Sequence, residues 1–167
     1  NPNTTSDNPK LMSMKEISDV NSDGVNDVIV STDNYWTLCY NGNSSVTDDI
    51  LWYFNTRTSN NVSGSVVYED GMQITDDINN DGVKDVVIGT GGNNELVYAL
   101  SGRTGQLLWT YGDLAITSDG DINGISITKD YNNDGRKDIL VAATGEGMGN
   151  GRHALIGLNV LKGSVLF

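Results

Sequence analysis

Apolar positions along the chain fall in short runs, separated by clusters of Asp, Asn, Gly, Ser and Thr, and no stretch keeps apolar residues at helical spacing for three turns. The run-and-turn pattern is clearest between residues 71 and 111. Strands are predicted there over 71–75, 85–90, 96–101 and 106–111, with a tight turn at Gly102–Gly105 joining the last two. Four short strands in a row, each parted by turn residues, make an antiparallel meander. The chain is therefore expected to be all-β.

The meander repeats. Asp19-Val-Asn21-Ser-Asp23-Gly24-Val25-Asn-Asp27 returns at Asp77 (58 residues on) and again at Asp130 (a further 53), each copy leading into an apolar strand. A second landmark keeps the same beat: Trp52, Trp109 and Phe167 close corresponding segments, 57 and 58 residues apart. Repeats of 40–60 residues with four strands each are the signature of propeller blades. The expected organisation is a tail over 1–10 and three four-stranded blades at about 11–55, 66–112 and 120–167, with a longer linker around 56–65. Propellers usually close with four to eight blades. Three are expected to form an arc of a larger propeller, or to complete a ring by self-association.

The repeated loop carries the candidate chemistry. Positions 1, 3, 5 and 9 are Asp19, Asn21, Asp23 and Asp27 in the first copy. They are Asp77, Asn79, Asp81 and Asp85 in the second, and Asp130, Asn132, Asp134 and Asp138 in the third. Hard cations such as Ca²⁺ take many oxygen ligands, which alternate side chains of a curled loop can supply. The glycine at position 6 permits the sharp turn, so that the carbonyl of position 7 (Val25, Val83, Arg136) can join the ligands. An EF-hand is excluded, because its position 12 needs a Glu between helices, whereas here Val30, Ile88 and Val141 stand inside apolar strands. Turns rich in Asp and Asn also form without metal, but three acids per loop would then repel one another. Three calcium sites are expected.

Charge agrees with a cation-binding chain. The formal net charge is −12, which disfavours nucleic acid and anionic membrane surfaces. No apolar stretch is long enough to span a membrane. Cys39, the single cysteine, sits in an alternating strand-like run and reads as a small buried hydrophobe. Sequons occur at Asn3, Asn43 and Asn61, as chance allows in so Asn-rich a chain. His153, the one histidine, lies beside a Gly-rich connector over 145–151 that opens no helix, and no Gly-x-Ser-x-Gly elbow is present. No enzyme is expected in this chain.

The loop pattern Asp-x-Asn-x-Asp-Gly-x-x-Asp before an apolar strand resembles the FG-GAP repeat, also found in the propeller of integrin α subunits. The stretch from Val97 to Trp109, with Thr104-Gly105 before Leu-Leu-Trp, is similar to the repeat of quinoprotein-type propellers, whose tryptophans dock between blades. The resemblance implies calcium-stabilised blades with the loop residues as ligands. The functional expectation is a non-enzymatic, secreted or cell-surface module that binds a protein or a glycan. The alternatives are the propeller portion of a secreted enzyme, quinoprotein or polysaccharide-acting, with catalytic residues outside this chain, and a scaffold subunit of an extracellular assembly.

Overall fold

The computed structural model describes residues 9–57, 64–66, 68–92, 94–112, 120–144 and 153–167. The sequons at Asn3 and Asn61 and the Gly-rich connector over 145–151 lie outside the described residues. Among the described residues there is no α-helix. A 3-10 turn at Glu69–Gly71 is the one helical piece among these residues.

The first sheet is the antiparallel meander β1 (Leu11–Ile17), β2 (Asp27–Thr32), β3 (Trp36–Tyr40) and β4 (Ile50–Asn55). A short strand β5 (Gly64–Ser65) follows and pairs with β8 (Gly91–Gly92). The second sheet holds β6 (Met72–Ile74), β7 (Val86–Gly89), β9 (Val97–Leu100) and β10 (Leu107–Tyr111), again a meander. The third holds β11 (Asp121–Ile127), β12 (Ile139–Thr144) and β13 (Ala154–Leu158). Two sheets thus have the expected four strands and one has three. In place of a fourth strand, the segment ending at Phe167 runs beside β13: the Leu166 amide donates to the Gly157 carbonyl (2.8 Å) and the Gly157 amide to the Phe167 carbonyl (2.9 Å). Its only bridge is Leu158 to Val165.

Period-two alternation decides which faces meet. Ile29, Cys39 and Trp52 are cross-strand partners on one face of the first sheet. They join Ile17, Met72, Val86, Ile88, Leu100 and Tyr98 in one buried cluster. The opposite face of the second sheet, with Val87, Val97 and Ala99, packs against Ile122, Ile125, Ile139, Val141 and Leu158 of the third. The second sheet is buried on both faces, which explains why β7 and β9 are continuous apolar runs rather than alternating ones. Cys39 is buried in the first cluster, and burial pushes its thiol up to about 12, so it is a packing residue and no thiolate at neutral pH.

Tryptophans lock neighbouring sheets together. The Trp52 indole N–H donates to the Gly102 carbonyl (2.7 Å), and that of Trp109 to the Val160 carbonyl (2.9 Å). Each ring lies over a turn glycine of the next sheet: a Cβ on Gly105 would come within 2.5 Å of the Trp52 ring, and one on Gly163 within 2.5 Å of Trp109. Both glycines also have positive φ, +69° and +66°. Phe167 does not take this role, because it packs on Gly157 and Tyr131 of its own unit.

The two described ends of the linker, at Thr56 and Gly64, are joined by a buried polar cluster. Asn94 donates to the Thr56 carbonyl (2.7 Å) and to the Tyr98 hydroxyl (2.8 Å), while the Thr56 hydroxyl donates to the Gly64 carbonyl.

Two variants test the lock. Trp52→Phe keeps an aromatic ring but loses the N–H and part of the buried ring area, and should cost about 1–3 kcal/mol. Gly105→Ala adds a clash and backbone strain and should cost about 1–3 kcal/mol more. Denaturant unfolding followed by tryptophan fluorescence would read both. Equal stability of Gly105→Ala and the parent chain would refute the close ring-on-turn packing.

Candidate metal site: three acidic loops

Each acidic loop joins the first and second strands of its sheet, and the three loops repeat one hydrogen-bond pattern. At position 1, one oxygen of Asp19 accepts the Asp23 amide (3.1 Å) and the other accepts the Gly24 amide (2.7 Å). Asp77 does the same for Asp81 and Gly82 (3.1 and 2.8 Å), and Asp130 for Asp134 and Gly135 (3.1 and 2.7 Å). At position 3, the amide oxygens of Asn21, Asn79 and Asn132 accept that same position-5 N–H at 3.0, 3.0 and 2.9 Å. At position 5, Asp23, Asp81 and Asp134 accept the position-7 amide at 3.0, 2.9 and 3.0 Å. These are Asx turns laid end to end. They need left-handed backbone at position 4 (Ser22 +65°, Asn80 +60°, Asn133 +61°) and positive φ at position 6 (Gly24 +92°, Gly82 +90°, Gly135 +87°). Asn and Gly tolerate that region best, which is why the motif is written with them.

Position 9 behaves differently. Asp27, Asp85 and Asp138 are fully buried. One oxygen of each accepts the amide of position 2: Val20 (2.7 Å), Ile78 (2.8 Å) or Tyr131 (2.9 Å). The other accepts an amide of the hairpin joining the third strand to the segment after it: Gly42 (2.9 Å), Gly102 (2.9 Å) or Val160 (3.2 Å). Burial raises the Asp85 carboxyl above the ordinary carboxylate range, although the Gly102, Ile78 and Asn79 amides pull it down. Sequence spacing could not reveal this clamp, since its hairpin partner comes from elsewhere in the repeat.

The oxygens of positions 1, 3 and 5 are of the kind a hard cation takes, and they could hold one. In each loop the position-1 carboxylate and the position-3 amide oxygen share one N–H donor, so they lie side by side, and the position-3 Nδ2 reaches the position-5 carboxylate. An N–H bond uses one of the several lone pairs on a carboxylate and leaves the others for a metal. Position 9 is drawn toward the hairpin, and among the described residues no three Asp, Glu, His or Cys side chains gather as a metal cage. Asp19, Asp81 and Asp134 are held below the usual carboxylate range. The Gly24 amide lowers the Asp19 carboxyl, and the Asn132 side chain lowers that of Asp134. Burial raises Asp81, but hydrogen bonds from Asn79, Val83 and Ser101 and the Arg103 charge bring it below its usual value.

Partners outside the motif also touch the loops. The Ser101 hydroxyl donates to Asp81 (2.9 Å) and the Asn159 amide to Asp134 (2.6 Å). Arg103 lies 3.7 Å from Asp81, and Arg136 donates to the Asp77 carbonyl (3.1 Å). Ser101 and Asn159 stand just before the hairpin residue that meets position 9, a regularity visible in the sequence once the hairpins are aligned. The paired acids at Asp48-Asp49 belong to a turn, where Asn41 donates to Asp49 (3.0 Å).

All-β sheets stacked face to face, with an indole of the first and of the second locked into a turn of the next, define a β-propeller-like array. Residues 77–141, from the second loop through the third, match the FG-GAP-like repeat. Nine chains of solved structures are similar, among them the crystal structure of BamB from Moraxella catarrhalis, with a TM-score of 0.50 and 13% identity. That similarity covers 84% of this chain and 33% of the BamB chain, so the present chain spans about a third of its length. No curated protein matches the sequence.

Asp85→Ala should leave the Ile78 and Gly102 amides buried and unpaired, at a cost of about 2–5 kcal/mol. Chemical denaturation would measure it, and a loss below about 1 kcal/mol would mean that water replaces the carboxylate.

Proposed function

We propose that this chain is a calcium-stabilised segment of a β-propeller in a secreted or cell-surface protein, a non-enzymatic module that holds its loops out to a protein or glycan ligand. The observation that supports it is the recurrence, at the same place in three sheets, of one curled loop bearing the same oxygen donors. Asp19, Asn21 and Asp23, with the Val25 carbonyl, would hold the first ion. Their counterparts at Asp77, Asn79, Asp81 and Val83, and at Asp130, Asn132, Asp134 and Arg136, would hold the other two. Asp27, Asp85 and Asp138 would contribute from behind, through the oxygen that faces position 2.

Extracellular calcium modules bind with dissociation constants near 10⁻⁴–10⁻³ M. At tenfold saturation each site would add roughly 1.4 kcal/mol. Three would add about 4 kcal/mol, a large share of the 5–15 kcal/mol typical of a domain. Such weak sites fill outside cells and not in cytosol, which is the reason for the proposed location. No helix among the described residues is long and apolar enough to cross a membrane.

The outer faces of the array call for neighbours. Met14, on the outward face of the first sheet, is 64% exposed, whereas its counterpart Met72 is 0% exposed beneath the first sheet. Met14, Val25 and Val28 line an open depression with Glu16 and Gly42, the turn glycine corresponding to the one whose carbonyl receives Trp52. Leu155 and Phe167 are exposed at the other end. Further blades or a second copy would cover them. A monodisperse monomer that binds no apolar dye would refute this part of the reading.

Calorimetric titration of the chelator-stripped chain should find three calcium sites of sub-millimolar to millimolar affinity, and none would overturn the proposal. Asp23→Ala is the cleanest loop variant, because Asp23 takes its hydrogen bonds from within its own loop. It should lower the melting temperature in calcium by several degrees and change it little in chelator.

A further inference from the structure

The three loops share their motif but not their surroundings. Arg103 follows the hairpin residue Gly102 and reaches over the second loop: its Nη2 donates to the Asp81 carbonyl (3.0 Å) and its Nε lies 3.7 Å from Asp81 Oδ1. A Cβ on Gly82 would meet that guanidinium at 3.6 Å. A second guanidinium arrives from the third loop, where Arg136 donates to the Asp77 carbonyl (3.1 Å) and to Asn80 Oδ1 (3.3 Å). The residue corresponding to Arg103 is Asn43 beside the first loop and Leu161 beside the third, neither of them charged. Asp134 receives the neutral amide of Asn159 instead.

We propose that Arg103 is a built-in counter-ion of the second loop, making it the weakest of the three calcium sites and the last to fill. The inference rests on the calcium reading above. A guanidinium beside a position-5 carboxylate supplies part of the charge that a cation would supply, and it repels the cation itself. Loop one has no such substitute, and in loop three the Arg136 charge is the smallest of the influences on Asp134, its guanidinium being hydrogen-bonded to the second loop, so their acids gain more from the ion. The second sheet, packed on both faces, consequently keeps its loop ordered at low calcium, while the outer loops respond to the ion.

Site-resolved titration tests this. The position-6 amides of Gly24, Gly82 and Gly135 each donate to the position-1 carboxylate of their own loop and therefore report on it separately. In the ¹⁵N-glycine-labelled chain, calcium should shift Gly24 and Gly135 at lower concentration than Gly82. Arg103→Gln, which keeps hydrogen-bonding capacity without charge, should tighten the Gly82 midpoint by about fivefold or more, as removal of a nearby unit charge predicts. It should leave the Gly24 midpoint unchanged, and its effect should shrink in added KCl. Arg103→Lys should keep the second site weak, and Asn43→Arg should weaken the first. Equal midpoints at all three glycines, unmoved by Arg103→Gln, would overturn the role of Arg103 while leaving calcium binding intact. Absence of any calcium-induced shift at the three glycines would overturn both.

Discussion

The structure hangs on a buried carboxylate at the end of each acidic loop. Asp27, Asp85 and Asp138 are taken out of water, which is costly for an ionised group unless strong donors replace the lost hydration. Backbone amides do so in each case, from the start of the loop and from a distant hairpin, two for Asp27 and Asp138 and three for Asp85. The clamp sets where the hairpin sits, and the hairpin receives the neighbouring sheet. The same residue that gives its N–H to Asp85, Gly102, offers its carbonyl to Trp52. Val160 stands likewise between Asp138 and Trp109. Packing within a sheet and packing between sheets thus share one residue.

The loops themselves are held by hydrogen bonds along their own backbone, and this bears on cation binding. A loop already curled by three linked Asx turns has lost most of the conformational freedom that binding would otherwise have to remove. The same linkages leave the position-3 amide spanning toward the position-5 carboxylate, a neutral contact that gathers the acids without cancelling their charge. Asx-turn chemistry is therefore compatible with the proposed cation binding, for which the turn would preorganise the donors.

Much of the fold was readable from local pattern. In the second repeat the strands expected over 71–75, 85–90, 96–101 and 106–111 lie at Met72–Ile74, Val86–Gly89, Val97–Leu100 and Leu107–Tyr111, because alternation and turn glycines act over a few residues. What depends on distant contacts was not readable. Spacing placed Asp85 among the ligands, and its engagement with Gly102 appears only when the hairpin is folded against it. Arg103 resembles any turn arginine until its guanidinium is seen over Gly82. The end of the third unit departed from expectation for a similar reason: Phe167, aligned with two docking tryptophans, lacks an indole N–H and rests on Gly157 and Tyr131 instead.

The indole-into-turn contact has a direction. Trp52 of the first sheet enters the turn of the second, and Trp109 of the second enters the turn of the third. The second unit is thus a socket on one side, at Gly102–Gly105, and a plug on the other, at Trp109, and the two are encoded within a few residues of each other. Such a heterologous contact repeats head to tail until the rotation from unit to unit closes a ring. Tandem duplication of the coding segment would deliver plug and socket together, so that a lengthened array inherits a matched joint without any compensating substitution.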